Sequence, residues 1–452
     1  MLRLELALLW RERLARAALV LLVVLASVAL WNGHVEDRAL RLQVDRLQAQ
    51  QATASDETLD PLVDPVDAGA LGYAMVHLVP QSPPPLAWLH LGDALSEPVA
   101  LRIRLLGLEG QRHAGGNAAP ERAAAGSLDF AFVVVVLMPL VALVLVAPLA
   151  SAEREAGRDA LLASLAVQPR VPWSRRVALR WAALGAAVLV PLAVAAITTG
   201  RLDSGLFGIA AATLLYAAIW CTAGAALALR WRQHATDTVA TRLLGGWLVL
   251  VVALPALAGM VLDRTLPEVP GSRVALEHRL VLNDAWDRPK EDTLAAFVRY
   301  HPEWRGTAPI PPTQRFHWKW YYAFHHLADR HVDPWLSERE HARQARVDAK
   351  RVLGLVMPTV AMLDLLDGLA DQGLERAEAR ESEVRDFHDR LRAFFYPALF
   401  ADRPMTRADL ASLPVPEPAA PAARRRDVAI LSLGIALLLG IVALRREASR
   451  AG

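Results

Sequence analysis

The chain has 452 residues, 54% of them hydrophobic but only 6% aromatic, and a formal net charge of +2. So balanced a charge argues against a polyanion-binding surface, and nucleic acid is not an expected partner. The one cysteine, Cys221, allows neither an intrachain disulfide nor a cysteine-based metal site, and inside an apolar run it reads as a small buried hydrophobe.

The apolar residues gather in six runs, at 14–31, 130–150, 177–198, 206–229, 243–261 and 428–444. Runs of this length with few charges match the roughly 30 Å of hydrocarbon that a spanning helix must cross. The first is expected to remain a span rather than a cleaved leader, because Trp31, Asn32, Gly33 and His34 after it lack a small-residue cleavage pattern. Pro139, Pro148, Pro191 and Pro255 fall inside runs, which spanning helices tolerate through local kinks.

Arginine in the short connections sets the expected orientation. Arg3, Arg11, Arg13 and Arg16 precede the first run, and Arg154, Arg158, Arg170, Arg175, Arg176 and Arg180 surround the connection between the second and third. Arg230, Arg232 and Arg242 follow the fourth, whereas the connection between the third and fourth has only Arg201, beside Asp203. By the positive-inside rule both termini are cytoplasmic. Arg424, Arg425 and Arg426 before the sixth run are discordant, and the parity of five preceding spans decides against them. Only three of the 49 basic residues are lysine (Lys290, Lys319, Lys350), a usage that suggests a GC-rich bacterial genome.

Two long segments then face outward. The first, 32–127, opens with a polar helical pattern (Val35, Leu40, Leu42, Val44, Leu47) that continues the first span as a stalk, and a looser stretch rich in Pro and Gly follows. The second, 263–427, is more helical. Val352, Leu353, Leu355, Val356, Val360, Met362, Leu363, Leu365, Leu366 and Leu369 predict one helix, apolar nearly all round. A charged helix over 374–395 is expected to show a solvated face, and 414–423 reads as a linker.

The expected fold class is therefore mainly α: a polytopic membrane protein with six transmembrane helices and two extracytoplasmic, largely helical insertions. The divisions are an interfacial N-terminal helix and first span (1–31), the first extracytoplasmic domain (32–127), spans two to five (128–262) with a cytoplasmic coupling loop at 151–176, the second extracytoplasmic domain (263–427), and the sixth span with a cytoplasmic tail (428–452).

Catalytic signatures are missing. None of the three lysines follows a glycine, so there is no Gly-Lys-Ser/Thr phosphate loop, and neither a His-Glu-x-x-His nor a Gly-x-Ser-x-Gly pattern occurs. The chain is not expected to be an enzyme; ATP and magnesium, if transport uses them, belong to another polypeptide. The spans hold almost no ionisable residue, with Arg180 near an end, which weighs against ion-coupled transport. Thr213, Tyr216, Trp220 and Thr222 are the main polar or amphipathic features of the fourth span, either packing between helices or lining a translocation path.

The connection Ser151 to Pro169 opens with acidic residues, continues as a short amphipathic stretch and ends at proline. A charge-tipped helix at a membrane surface can dock on a soluble partner and pass its movement to the attached spans; an ordinary solvated loop is the alternative. Glu153, Glu155, Gly157, Leu161, Leu162 and Pro169 resemble the coupling motif of ABC-2 type permeases; Ala156, Asp159 and Arg170 depart from it. An amphipathic N-terminal segment (Leu2, Leu4, Leu6, Leu9, Trp10) suits the membrane interface. The aromatic stretch Trp318 to His326, with His331 to Pro334 after it, is similar to a subgroup with a large outer domain between the fifth and sixth spans. The resemblance implies ABC ATPase subunits and a second permease subunit as partners, membrane lipid around them, and no cofactor in this chain.

His317, His325, His326 and His331, with Asp329 and Asp333, could form a metal site, since imidazole suits zinc or copper. The interleaved Trp318, Trp320, Tyr321, Tyr322 and Phe324 favour aromatic packing instead. Two rival readings complete the set: a membrane-anchored scaffold whose outer domains engage a partner, and an enzyme built on the histidines.

Overall fold

The computed structural model describes residues 2–59, 65–90, 98–114, 128–158, 170–311, 313–417 and 427–450. The chain starts with α1 (Leu2–Arg11) and α2 (Arg13–Leu59). At 1.5 Å per residue, the 47 residues of α2 reach about 70 Å, more than twice the hydrocarbon thickness. The first span thus does continue as a stalk. The first insertion then folds as α3 (Ala68–Ala74), an antiparallel pair β1 (His77–Pro80) and β2 (Ala100–Ile103), and α4 (Leu108–Ala114).

Helices α5 (Phe130–Glu155), α6 (Arg170–Thr199), α7 (Gly205–Arg230) and α8 (Thr236–Thr265) follow. The second insertion holds α9 (Gly271–Asp284), α10 (Lys290–Tyr300), α11 (Trp318–Gly354), α12 (Pro358–Ala370), α13 (Leu374–Phe400) and the single turn α14 (Arg407–Leu410). Helix α15 (Asp427–Arg450) closes the chain. Six of these helices (α2, α5, α6, α7, α8 and α15) are long and apolar enough to cross a membrane. Turns of π type at Val133–Leu137 and Leu248–Ala253 sit just before Pro139 and Pro255, where the missing proline N–H breaks the regular ladder.

The six helices share one apolar core, but unequally. In its most apolar stretch α5 buries 72% of its residues and α8 only 6%, so α5 is central and α8 peripheral. Contacts put both termini at one end of the bundle: Arg232 donates to the Arg450 carbonyl at 3.1 Å, and Arg176 pairs with Glu5 of α1 at 3.1 Å. This end is called the terminal face, and the opposite end the insertion face.

The apolar stretch 352–369 is not one helix. Pro358 lacks an N–H and starts α12, after a turn whose Met357 N–H returns to the Leu353 carbonyl at 2.8 Å. Nor is 374–395 merely a solvated charged face: Arg380, Val384, Phe387, His388 and Leu391 of α13 are buried.

Both insertions contribute to a second core. Leu71, Val79 and Ile103 pack with Trp320, Phe387 and Phe395, and a bridge pairs Val66 with Met405. Asp37, fully buried on the stalk, ties it down by taking Arg41 at 3.0 Å and Arg201, from the connection between α6 and α7, at 2.6 Å. Where α2 passes the first insertion, a Cβ on Gly33 would lie 2.0 Å from the Trp88 carbonyl oxygen, so only glycine allows that approach.

Candidate functional site

At the terminal face, α5 ends in a knot of polar contacts. Gly157 stops the helix with φ +68, in the left-handed region that favours glycine. Glu153 receives Arg176 of α6 at 2.9 Å and Arg158 at 2.7 Å, and Arg176 continues to Glu5 of α1. Glu155 accepts the backbone N–H of Thr236, the first residue of α8, at 2.8 Å and its hydroxyl at 3.0 Å. The same hydroxyl lies 2.9 Å from Ser151 Oγ. Arg154 donates to the carbonyls of Arg232 and His234 at 3.0 and 3.3 Å.

Glu153, Glu155 and Gly157 therefore do come together, but both carboxylates are spent on this chain's own helices. The end of α5 is a handle fastened to α1, α6 and α8. Leu161, Leu162 and Pro169 lie outside the described residues, as do Arg424, Arg425 and Arg426. Arg180 is more than a charge near a helix end: it is buried, donates to the Leu145 carbonyl at 2.7 Å and reaches Glu12 at 3.3 Å.

Within α7 the four singled-out residues behave differently. Thr213 and Thr222 donate to the Ile209 and Ala218 carbonyls of their own helix, each at 2.8 Å, which satisfies a hydroxyl without any partner helix. Trp220 meets Tyr216 edge-on at 6.2 Å. Tyr216, near the middle of α7, is fully buried and lies 3.2 Å from both the Val135 carbonyl of α5 and the Thr359 hydroxyl of α12. With one proton, it donates to Val135 and accepts from Thr359.

Helix α12 thus belongs to the bundle rather than to the insertion core. Its Ala361, Met362, Leu365 and Leu366 join the apolar core of the six helices. At 13 residues, about 20 Å, it is too short to cross. Ser432 of α15 donates to the Gly354 carbonyl at 2.5 Å, satisfying backbone just before the turn. Near its far end, His90 bridges Asp129 at 2.9 Å and Asp367 at 2.6 Å. Burial alone would push the His90 imidazolium pKa down, but the hydrogen bonds and charges of Asp129 and Asp367 raise it to about 10. Asp129 also caps the start of α5, accepting the Phe132 N–H at 2.8 Å.

In the insertions, Asp329 is the hub. It accepts the N–H groups of Leu108 and Glu109 at 2.8 and 3.0 Å, His278 at 3.0 Å and Arg392 at 2.5 Å. Burial opposes its charge, yet His278 and Arg392 hold its carboxyl well below the ordinary range. His325 accepts the Gly107 N–H at 3.1 Å, His326 stands edge-on to His301 at 4.7 Å, and His331 lies beside Trp335. Burial pushes the His325 pKa down to about 3, so it is a neutral acceptor. The three histidines do not converge, and among the described residues no group of three or more His, Cys, Asp or Glu is placed to hold a metal. A cavity of about 670 Å³ opens beside His326, and its wall holds the ion pairs Asp329–Arg392, Glu381–Arg343 and Arg330–Asp333.

Thr236, Thr359, His90, Asp129 and Asp367 escaped the sequence reading. Asp129 alone gave a usable signal, an acidic residue just before an apolar run. A family model described as a domain of unknown function (DUF3526) matches residues 272–417, which hold α9 to α14 and the Asp329 hub. No curated protein matches the chain, and no solved structure does.

Proposed function

We propose that this chain is the transmembrane permease subunit of an ABC-type exporter, of the ABC-2 kind, moving an unidentified substrate across the bacterial cytoplasmic membrane. The terminal face is then cytoplasmic and both insertions are extracytoplasmic. ATP and magnesium act on separate ATPase subunits, and a second permease subunit completes the assembly.

The observation that carries this reading is the fastened end of α5. A force applied to Ser151–Arg158 reaches α1 and α6 through Glu153 and Arg176, and α8 through Glu155. It travels along α5 to Val135, whose carbonyl receives the buried Tyr216 hydroxyl, and from Tyr216 to Thr359 of α12. A mechanical input at one face and a short inserted helix at the other suit alternating exposure of a path. The sparse packing of α8 leaves an apolar side for lipid or a second subunit.

Co-purification with the ATPase encoded beside this chain tests the reading. A complex is expected, and replacing both Glu153 and Glu155 by Ala should alter its ATP turnover. Absence of any complex overturns it. The mixed-charge cavity beside Asp329 favours one other reading, a membrane-anchored binding protein. That reading predicts that the terminal face can be altered with no effect on function.

A further inference from the structure

A groove of about 410 Å³ opens between α6, α7 and α15, toward the terminal face. Val177 and Trp181 of α6, Ala218 and Cys221 of α7, and Leu437 and Leu444 of α15 give it apolar walls. Along α15 it extends from Leu437 to Ala448, eleven helical steps. That is about 16 Å of helix, half of a hydrocarbon core roughly 30 Å thick. At its floor α7 and α15 touch: a Cβ on Gly440 would meet Thr222 Oγ1 at 2.4 Å.

The polar end of the groove is cationic. Arg445 lines it, no carboxylate does, and Arg445 has no ion pair among the described residues. Glu447, close by in sequence, is taken by Arg450 at 3.0 Å and Arg230 at 3.7 Å.

We propose that this groove holds one acyl chain of an anionic phospholipid from the leaflet at the terminal face, with the lipid phosphate against Arg445. Three features select that occupant. The groove is one leaflet deep, its volume suits a single acyl chain, and its only cationic lining residue lies where a headgroup would be. A length of about 16 Å of helix from a second copy, about 10 Å across, would fill more than about 1,000 Å³, far more than the groove's 410 Å³. A soluble ligand would leave the apolar walls unmatched. The guanidinium offers the phosphate a charge-assisted, two-pronged hydrogen bond. Since α6 also carries Arg176, the lipid would brace the helix that receives Glu153.

The test uses purified, delipidated full-length protein, with phosphatidylglycerol and phosphatidylcholine of identical acyl chains as probes. Native mass spectrometry should show phosphatidylglycerol retained severalfold more than phosphatidylcholine, with a matching rise in melting temperature. Arg445→Gln should erase the preference while leaving some binding of either lipid. Ala178→Phe, at an exposed position lining the groove, should remove both. Equal retention of the two lipids by the wild type, or a preference that survives Arg445→Gln, overturns the proposal. So does an assembly that Ala178→Phe dissociates while lipid has no effect, since a second copy would then be the occupant. Should Ala178→Phe fail to fold, the exposed Arg445 substitution still decides.

Discussion

Glu155 and Thr236 are joined at two points, the backbone N–H at 2.8 Å and the hydroxyl at 3.0 Å, so α5 ends where α8 begins. Val239 and Leu243 bury the first two turns of α8 in the bundle core, and this bond is their polar fastening to α5. A carboxylate accepts both donors, a glutamine amide oxygen still accepts, and alanine accepts neither. Hydrogen exchange at residues 236–241 should therefore quicken strongly in Glu155→Ala and modestly in Glu155→Gln. Wild-type protection in the alanine variant would show that the pair does not anchor α8.

The His90 clasp makes a pH prediction. Its folded pKa is raised to about 10 from 6.5, so the stability it contributes is fully present below pH 6.5 and is lost as pH rises through 10. Melting curves between pH 6 and 10.5 should show a fall for the wild type that His90→Gln lacks. Subtracting the two curves removes the titration of other groups. An identical pH dependence in both proteins would mean that the bridge between Asp129 and Asp367 holds no proton of consequence.

What the sequence could disclose divides by the range of the interaction. The six long apolar helices were legible because a hydrocarbon thickness dictates a run length, and the stalk because Val35, Leu40, Val44 and Leu47 keep a helical period past the apolar stretch. Pro358 announced a helix start, but the apolar residues on both sides of it concealed the break. The union of the two insertions could not be read, since Asp329 meets Leu108 across more than two hundred residues. Separations of 81 and 143 residues likewise hid the partners of Glu155 and Tyr216. Their chemistry was visible in the sequence, whereas their role depends on which helix end each one meets.

Tyr216 provides a separate test of α12. Tyr216→Phe keeps the ring but leaves the Thr359 hydroxyl and the Val135 carbonyl without their shared partner, a cost of about 1–3 kcal/mol for unsatisfied buried groups. A single cysteine placed at exposed Leu363, in a Cys221→Ala background, should react faster with a maleimide once the tyrosine hydroxyl is gone. Unchanged labelling together with unchanged stability would show that α12 is held without the Tyr216 hydroxyl, by its apolar contacts and the His90–Asp367 bridge.

Asp329 and Arg392 carry the firmest stability prediction. Asp329→Asn takes the nearer carboxylate from the buried Arg392, leaving it only the exposed Asp389 at 3.6 Å, and weakens two backbone N–H bonds that clamp α4 of the first insertion. Breaking a buried pair on one side typically costs about 3–5 kcal/mol, a large share of the roughly 5–15 kcal/mol that holds a domain. Limited proteolysis should therefore cut the Asp329→Asn insertions several times faster than wild type. Arg392→Met removes the cation, so the double variant should be less damaged than the sum of the single ones. The Leu108 and Glu109 N–H groups still need Asp329 in that background, which leaves Arg392→Met alone milder than Asp329→Asn. Strict additivity of the two substitutions would place the stitching of the insertions in their shared apolar core, around Phe387 and Phe395, and not in the ionic hub.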